Sequence, residues 1–297
     1  MDNSVSVIIP FYEGVEWLCE AVESVLNQTY AVSEIIVVND GSRESVEYFL
    51  EKYGEKIIYI YKENGGPASA RNMGIERSTG KFIAFLDSDD LWLPRKLELQ
   101  IFAMKSKNAV WSHTGYETFD TLSKNKDTVK RVSISEFSGD IFPKMLYFNP
   151  LATPGIVIDG ELLRNNINWR FNKDMRYGQD QYLWMCIAPK HEILAIDEVL
   201  VRVRMRGNNA ALRARVQLRA KAIIYDNILK GNREYLGQLS FIGKSAFGLC
   251  ICGEKILTFF EKKTEKNTVI LENISRCLYI LPWCMFKIAY IYCRHKE

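Results

Sequence analysis

Histidine is scarce in this chain: three among 297 residues, His113, His191 and His295, far apart and in no HxxxH or HExxH spacing. That excludes a zinc site built on imidazole and leaves oxygen as the ligand for any metal. No CxxC pair occurs among the seven cysteines, five of which (Cys250, Cys252, Cys277, Cys284, Cys293) crowd near the C-terminus among apolar neighbours. Reduced, mostly buried thiols in a cytosolic compartment are therefore expected. No GxGxxG follows the first apolar run, which removes the dinucleotide fingerprint. Gly74 to Lys81 has the wrong glycine spacing for a phosphate-binding P-loop, and no glycine holds the sixth position of an EF-hand after Asp87. No basic leader precedes the apolar run Val5 to Tyr12, so export is not expected. Neither charge sign dominates, with 39 Lys and Arg against 36 Asp and Glu. The basic C-terminal residues are interleaved with Glu261, Glu265 and Glu272, and nucleic acid is not an expected partner.

What is present is ordinary globular composition, 47% hydrophobic and 25% charged. The first hundred residues alternate strand and helix patterns. Val5 to Ile9 reads as a strand ending at Pro10, Trp17 to Leu26 as a helix, and Ile35 to Val38 as a strand stopped by the turn cluster Asn39-Asp40-Gly41-Ser42. Val46 to Tyr53 is helical, Ile57 to Tyr61 a strand, Pro67 to Arg77 a helix opened by proline, and Phe82 to Leu86 a strand. This rhythm predicts an α/β fold, a mostly parallel sheet flanked by helices on both faces. Ligands of such sheets bind outside the carboxyl ends of the strands, where Pro10 to Glu13, Asn39 to Ser42 and Asp87 to Asp90 all fall. Further on, strands are expected at 109–116, 155–158 and 193–204, a polar loop at 121–132, a helix at 178–187, and helices from about 212.

Asp87-Ser88-Asp89-Asp90 presents three carboxylates in four positions after an apolar strand. Mn²⁺ or Mg²⁺ held by one or two of them and completed by phosphate oxygens would relieve that crowding; capping of the helix near Pro94 by Asp89 or Asp90 is the structural alternative. Asn39 to Ser42 fits a plain turn, and equally a carboxylate, Asp40, that accepts from a nucleobase imide or ribose hydroxyl. Asn64-Gly65-Gly66-Pro67 feeds a helix start with Arg71 one turn in, which suits a diphosphate or a packed helix end.

Taken together, Val7 to Tyr12, Val37 to Ser42, Asn64 to Pro67 with Ala70-Arg71-Asn72, and Phe85 to Asp90 resemble, in order and spacing, the motifs of the bacterial family 2 glycosyltransferases. Gly178-Gln179-Asp180 with Leu183-Trp184 resembles the acidic motif on the acceptor side of that family. The resemblance implies a GT-A fold, a nucleotide-sugar donor, usually a UDP-sugar, and inversion by direct displacement. By position, Pro10 and Tyr12 would line the uridine pocket, Asp40 would bond the base and Arg71 would approach the nucleotide. Asp87 would contact ribose, Ser88 would lie in the same nucleotide-sugar site, and Asp89 would bind the metal. Asp180 would be the general base, with Asp174 as the fallback. Glu13 stands where the family commonly has Asn, Asn39 where it commonly has Asp, Gln179 where a Glu often precedes the base, and Arg204 where a His is frequent; Glu13 and Arg204 are counted in the nucleotide-sugar site, where Arg204 or Arg206 could fold over the diphosphate or be ordinary solvated arginines.

The expected organisation is a catalytic domain over 1–211, divided into a nucleotide-sugar-binding half (1–108) and an acceptor-binding half (109–211), followed by a helical extension over 212–297. The expected acceptor is a saccharide or lipid-linked oligosaccharide. Between Lys255 and Glu297, eight Lys and Arg face four Asp and Glu. Cys277 to Cys293 is apolar and aromatic but short for a spanning helix, so the extension reads as a peripheral anchor on the inner face of the plasma membrane, or as a cap on the fold or a self-association surface. A non-catalytic nucleotide-sugar-binding scaffold of the same fold is the alternative from another functional class.

Overall fold

The computed structural model describes residues 3–120, 130–206, 213–263 and 268–294. Two compact units divide the chain. The first comprises Met1–Ile141, Pro150–Lys173 and Cys186–Gly207, the second Phe142–Asn149, Asp174–Met185 and Asn208–Glu297.

Among the described residues, the first unit is built on one mixed sheet of nine strands: β1 (Val5–Phe11), β2 (Glu34–Asp40), β3 (Ile58–Lys62), β4 (Phe82–Phe85), β5 (Leu91–Trp92), β6 (Trp111–Asp120), β7 (Lys130–Val132), β8 (Val157–Asp159) and β9 (Leu194–Met205). Their spatial order is β3-β2-β1-β4-β8-β6-β9-β5, with β7 beside β6. The run β3-β2-β1-β4 is parallel, as is the long β6–β9 pairing, while β8, β5 and β7 join antiparallel. Helices α1 (Val15–Leu26), α2 (Glu47–Tyr53), α3 (Pro67–Arg77), α4 (Lys96–Lys107) and α6 (Gly160–Asn165) also lie in this unit. Alternation along β1 sends Val5, Val7 and Ile9 into one core with Leu18 and Val22 of α1. On the opposite face, Ile36 and Val38 meet Ala70 of α3.

Several boundaries depart from expectation. Pro10 does not end the first strand. Its missing N–H faces the β4 side, where the last β4 bond is the Leu86 amide to the Ile8 carbonyl, so no ladder bond is lost. Asn39 and Asp40 are the last residues of β2 rather than a turn beyond it. Lys130–Val132, read as polar loop, is a strand paired with β6, and 121–129 lies outside the described residues.

The second unit holds α5 (Lys144–Tyr147), most of α7 (Gln179–Ile187), α8 (Ala214–Gly231), α9 (Phe241–Lys263) and α10 (Thr268–Arg294). Leu218, Leu257 and Leu271 form a small core between the last three helices. Phe247 stacks on Tyr225 at 5.1 Å and meets Phe286 edge-on at 4.7 Å. Gly243 of α9 lets Tyr147 of α5 pack closely, since a Cβ there would come within 2.5 Å of the Tyr147 ring. The apolar C-terminal stretch is part of a 27-residue helix, longer than its composition alone indicated, because Pro282 is tolerated inside α10. No disulfide joins any of the seven cysteines, and only Cys250 is buried while Cys252, Cys277 and Cys284 are exposed. The expectation of mostly buried thiols is thus corrected, because α9 and α10 turn apolar side chains outward.

Candidate functional site

The parallel half of the sheet brings the ends of β1, β2 and β4 side by side. Beyond β1, Tyr12 and Glu13 are exposed while Pro10 is buried within the strand. Gly14 takes φ +86, and its amide with that of Val15 donates to the Glu44 carboxylate at 2.9 Å each. Glu44 therefore ties the loop after β1 to the loop after β2 and fills the amide cradle at the start of α1.

At the end of β2, Asp40 is buried. Its Oδ1 accepts from Lys62 Nζ at 2.5 Å and from the Gly65 amide at 2.9 Å. Asn39, where an acid was anticipated from the resemblance, fastens the turn: its Oδ1 accepts from the Ser42 amide at 2.8 Å and its Nδ2 donates to Tyr59. Gly41 stands at φ +76, and a Cβ there would lie 2.7 Å from the Asn64 amide nitrogen, so only glycine allows the β2 turn to touch the glycine-rich loop. That loop enters α3 through Gly66 at φ +83 and Pro67 in the first turn.

Arg71, one turn into α3, is buried and donates from Nη2 to Asp87 Oδ1 at 2.5 Å, with its guanidinium 5.2 Å from the Phe171 ring centroid. The neighbouring Asn72 exchanges two bonds with the Phe171 backbone, which fixes the helix start.

After β4 the chain turns through Ser88 and Asp89, and the Asp90 amide donates to the Asp87 carbonyl at 3.0 Å. The turn is gripped from β9. The Arg204 amide donates to Asp90 Oδ1 at 2.8 Å, and Arg204 Nε to the Asp89 carbonyl at 2.8 Å. Arg204 Nη2 reaches Glu20 Oε2 at 2.5 Å, with Trp17 and Phe119 against its guanidinium. Arg206 Nε pairs with Asp89 Oδ2 at 2.8 Å. The helix-capping alternative for Asp89 and Asp90 is corrected here: α4 begins after Arg95 with no side-chain cap, and Asp90 is spent on Arg204.

The electrostatics of this turn follow from crowding. Burial, and then the Asp87 carboxylate, raise the Asp89 carboxyl above its ordinary value. Burial, followed by Asp89 and Asp87, pushes Asp90 well above it. Asp87 and Asp89 are the oxygen donors that this turn can offer a hard divalent cation. No group of three or more His, Cys, Asp or Glu side chains among the described residues could hold an ion alone, so phosphate and water oxygens would have to complete the shell.

Asp180 lies in the first turn of α7, in the second unit, half-buried, with Oδ1 accepting from the Gln181 amide at 2.8 Å. Gln179 Nε2 donates to the Arg176 carbonyl, and Gly178 at φ +75 packs against Ala220. Asp174, the fallback base, is exposed. Trp169 and Trp184 are buried in their own units, as core packing requires. His113 is a core residue whose Nε2 lies 2.7 Å from the Phe137 carbonyl, and burial lowers its pKa to about 4.

Three residues of this region were not foreseen. Glu20 and Glu44 carry no signal in the sequence, since helix acids and loop acids look alike. Lys62 did carry one: it ends β3, and parallel pairing of β2 with β3 sets it directly beside Asp40.

A family model described as "Glycosyl transferase family 2" matches residues 6–160. An uncharacterized glycosyltransferase of Rickettsia bellii is 42% identical over 70% of this chain and 30% of its own length. The chain spans about a third of the length of the first curated relatives it matches. An Escherichia coli protein, "UDP-Glc:alpha-D-GlcNAc-diphosphoundecaprenol beta-1,3-glucosyltransferase WfgD", is 31% identical over 66% of this chain and 74% of its own. Among solved structures, S. aureus TarS 1-349 in complex with UDP-GlcNAc superposes with a TM-score of 0.63 at 17% identity, covering 99% of this chain and 92% of that one. That likeness bears out the GT-A α/β fold with its C-terminal helical segment.

Proposed function

This chain belongs to glycosyl transferase family 2, and on that premise we propose that it is an inverting, metal-dependent glycosyltransferase. It would move a sugar from a UDP-sugar to a hydroxyl of a saccharide or lipid-linked oligosaccharide during cell-surface polysaccharide synthesis. The observation that carries the reading is the turn Asp87–Asp90, where three crowded carboxylates are gripped by Arg71, Arg204 and Arg206. Such a concentration of unlike charge at a strand end suits a diphosphate and its counter-ion. TarS crystallised with UDP-GlcNAc, and the description of WfgD as a UDP-Glc-dependent enzyme, support a UDP-sugar as donor.

In this reading Asp40 accepts from the base, Pro10, Tyr12 and Glu13 border it, and Asp87 and Ser88 face the ribose side. Asp89 would hold Mn²⁺ or Mg²⁺, whose charge favours departure of the nucleoside diphosphate. Arg71 and Arg206 sit beside the carboxylates and add fixed positive charge where negative charge develops. Arg204 holds the acidic turn through the Asp89 carbonyl and the Asp90 carboxylate, and in this reading it belongs to the nucleotide-sugar site as the residue that positions that turn. Asp180 takes the proton from the acceptor hydroxyl as the new bond forms, and inversion needs no covalent intermediate. The division into catalytic domain and helical extension remains part of the proposal, with the extension lying on the inner face of the plasma membrane.

The test is equilibrium binding of UDP with and without Mn²⁺. Metal-dependent binding that Asp89→Ala abolishes supports the site, and a screen of UDP-sugars then identifies the donor. Absence of binding by UDP, GDP and dTDP alike defeats the reading.

A further inference from the structure

The ion pair between Lys62 and Asp40 is nearly enclosed, with side-chain exposures of 12% and 5%. Enclosed pairs of this kind seldom stabilise a fold beyond what an apolar pair would contribute, which directs attention to what the pair presents. Asp40 Oδ1 is saturated by Lys62 Nζ and the Gly65 amide, whereas no described residue bonds Oδ2. Lys62 donates a second bond to the Glu63 carbonyl. An ammonium has three N–H groups, so one remains without an acceptor among the described residues. A Cβ on Gly65 would come within 3.0 Å of Nζ, so glycine there leaves the ammonium its place. The strand ends thus offer one carboxylate acceptor and one ammonium donor side by side.

We propose that Lys62 is a specificity-determining residue that reads the nucleobase jointly with Asp40, selecting uracil over cytosine. The inference rests on the donor-site reading above. Uracil presents its N3–H donor beside the O4 acceptor; cytosine presents the N3 acceptor beside an amino donor. Asp40 Oδ2 accepts from N3–H while Lys62 donates to O4, and against cytosine the same two groups meet acceptor with acceptor and donor with donor. Asp40 alone would discriminate only at N3; Lys62 adds the reading of the adjacent atom.

The experiment is calorimetric binding of UDP and CDP, each with Mn²⁺, to the full chain and to its Lys62→Met and Lys62→Gln variants. A charge-assisted hydrogen bond is worth about tenfold to a hundredfold in affinity. Lys62→Met is expected to weaken UDP by about tenfold or more while CDP changes less than about twofold, so the UDP-to-CDP ratio falls. Lys62→Gln, which keeps an N–H donor without the charge, is expected to restore part of that ratio, an outcome that loosening of the loop would not produce. Equal weakening of both nucleotides, or unchanged UDP binding in Lys62→Met, overturns the inference. Failure of the unmodified chain to bind UDP while it binds GDP or dTDP also overturns the inference, and failure to bind any of the three overturns the donor-site reading itself.

Discussion

Arg204 and Asp90 are joined across 114 residues of sequence by a bond from the Arg204 amide to Asp90 Oδ1 at 2.8 Å. The acid that completes the acidic turn is therefore a structural tie to β9, buried among two other carboxylates. Because its folded pKa is raised, Asp90 favours the folded state only while protonated. That contribution is present below the unfolded value of about 4 and is lost as pH rises toward the folded pKa. Asp90→Asn keeps the oxygen that accepts from Arg204 and cannot ionise. The variant is expected to be more stable than the parent at about pH 8 and to lose that advantage toward about pH 4, as read by Tm across the range. A Tm difference independent of pH would show that Asp90 does not titrate within the fold.

The Arg204 guanidinium is a second tie, with Glu20, the Asp89 carbonyl and two aromatic rings around it. Arg204→Met retains much of the apolar contact but strands those acceptors. A stability loss of about 2–4 kcal/mol is expected by denaturant titration, reduced by the half-exposed position of Glu20. Arg204→Lys should recover only part of it, since an ammonium lacks the planar fork that reaches Glu20 and the Asp89 carbonyl together.

How far the sequence could be read depended on the range of the interactions. Strands β1 to β4 were legible because each is a continuous apolar run closed by a turn cluster, and the Asn64 to Pro67 loop because glycine and proline carry local conformational rules. Strand β5 was not, since Leu91–Trp92 is two residues long and is a strand only through its pairing with Arg202 and Val201. Lys130–Val132 has a charged pattern that nothing local distinguishes from a loop; its strand character comes from Tyr116 to Thr118 across the ladder. The charged members of the site were legible as types and positions. Their partners were not, because Glu20 with Arg204 and Arg206 with Asp89 are contacts between residues more than a hundred positions apart.

Asp180 is assigned the proton from the acceptor, and binding and chemistry are separable there. Asp180→Asn preserves the acceptor oxygen for the Gln181 amide. Transfer is expected to fall by about a hundredfold to ten-thousandfold, measured by release of UDP in the presence of acceptor, while affinity for UDP with Mn²⁺ is unchanged. Unaltered transfer would remove Asp180 from the mechanism and make Asp174 the next residue to replace.

The last prediction concerns the helical unit. Along α10, Ile280, Leu281, Ile288 and Ile291 are all more than half exposed, and Lys287 lies 3.7 Å over the Trp283 ring. The helix passes the length and hydropathy requirements of a membrane span, with 22% of its apolar window buried. An exposed apolar stripe interrupted by lysine and tryptophan is better suited to the interface than to the bilayer centre, where a lysine is costly. With exposed Lys255, Lys262 and Lys263 of α9 in the same unit, each basic residue near an anionic surface adds about 1 kcal/mol of attraction. The full chain is therefore expected to float with vesicles containing phosphatidylglycerol, and about 0.5 M salt should weaken this only in part, because burial of the apolar stripe is not screened. An Ile280→Glu, Ile288→Glu double variant should remain in the soluble fraction with its UDP binding intact. Equal flotation of the variant and the parent would exclude this face as the membrane contact, and complete release of the parent by salt would leave only an electrostatic association.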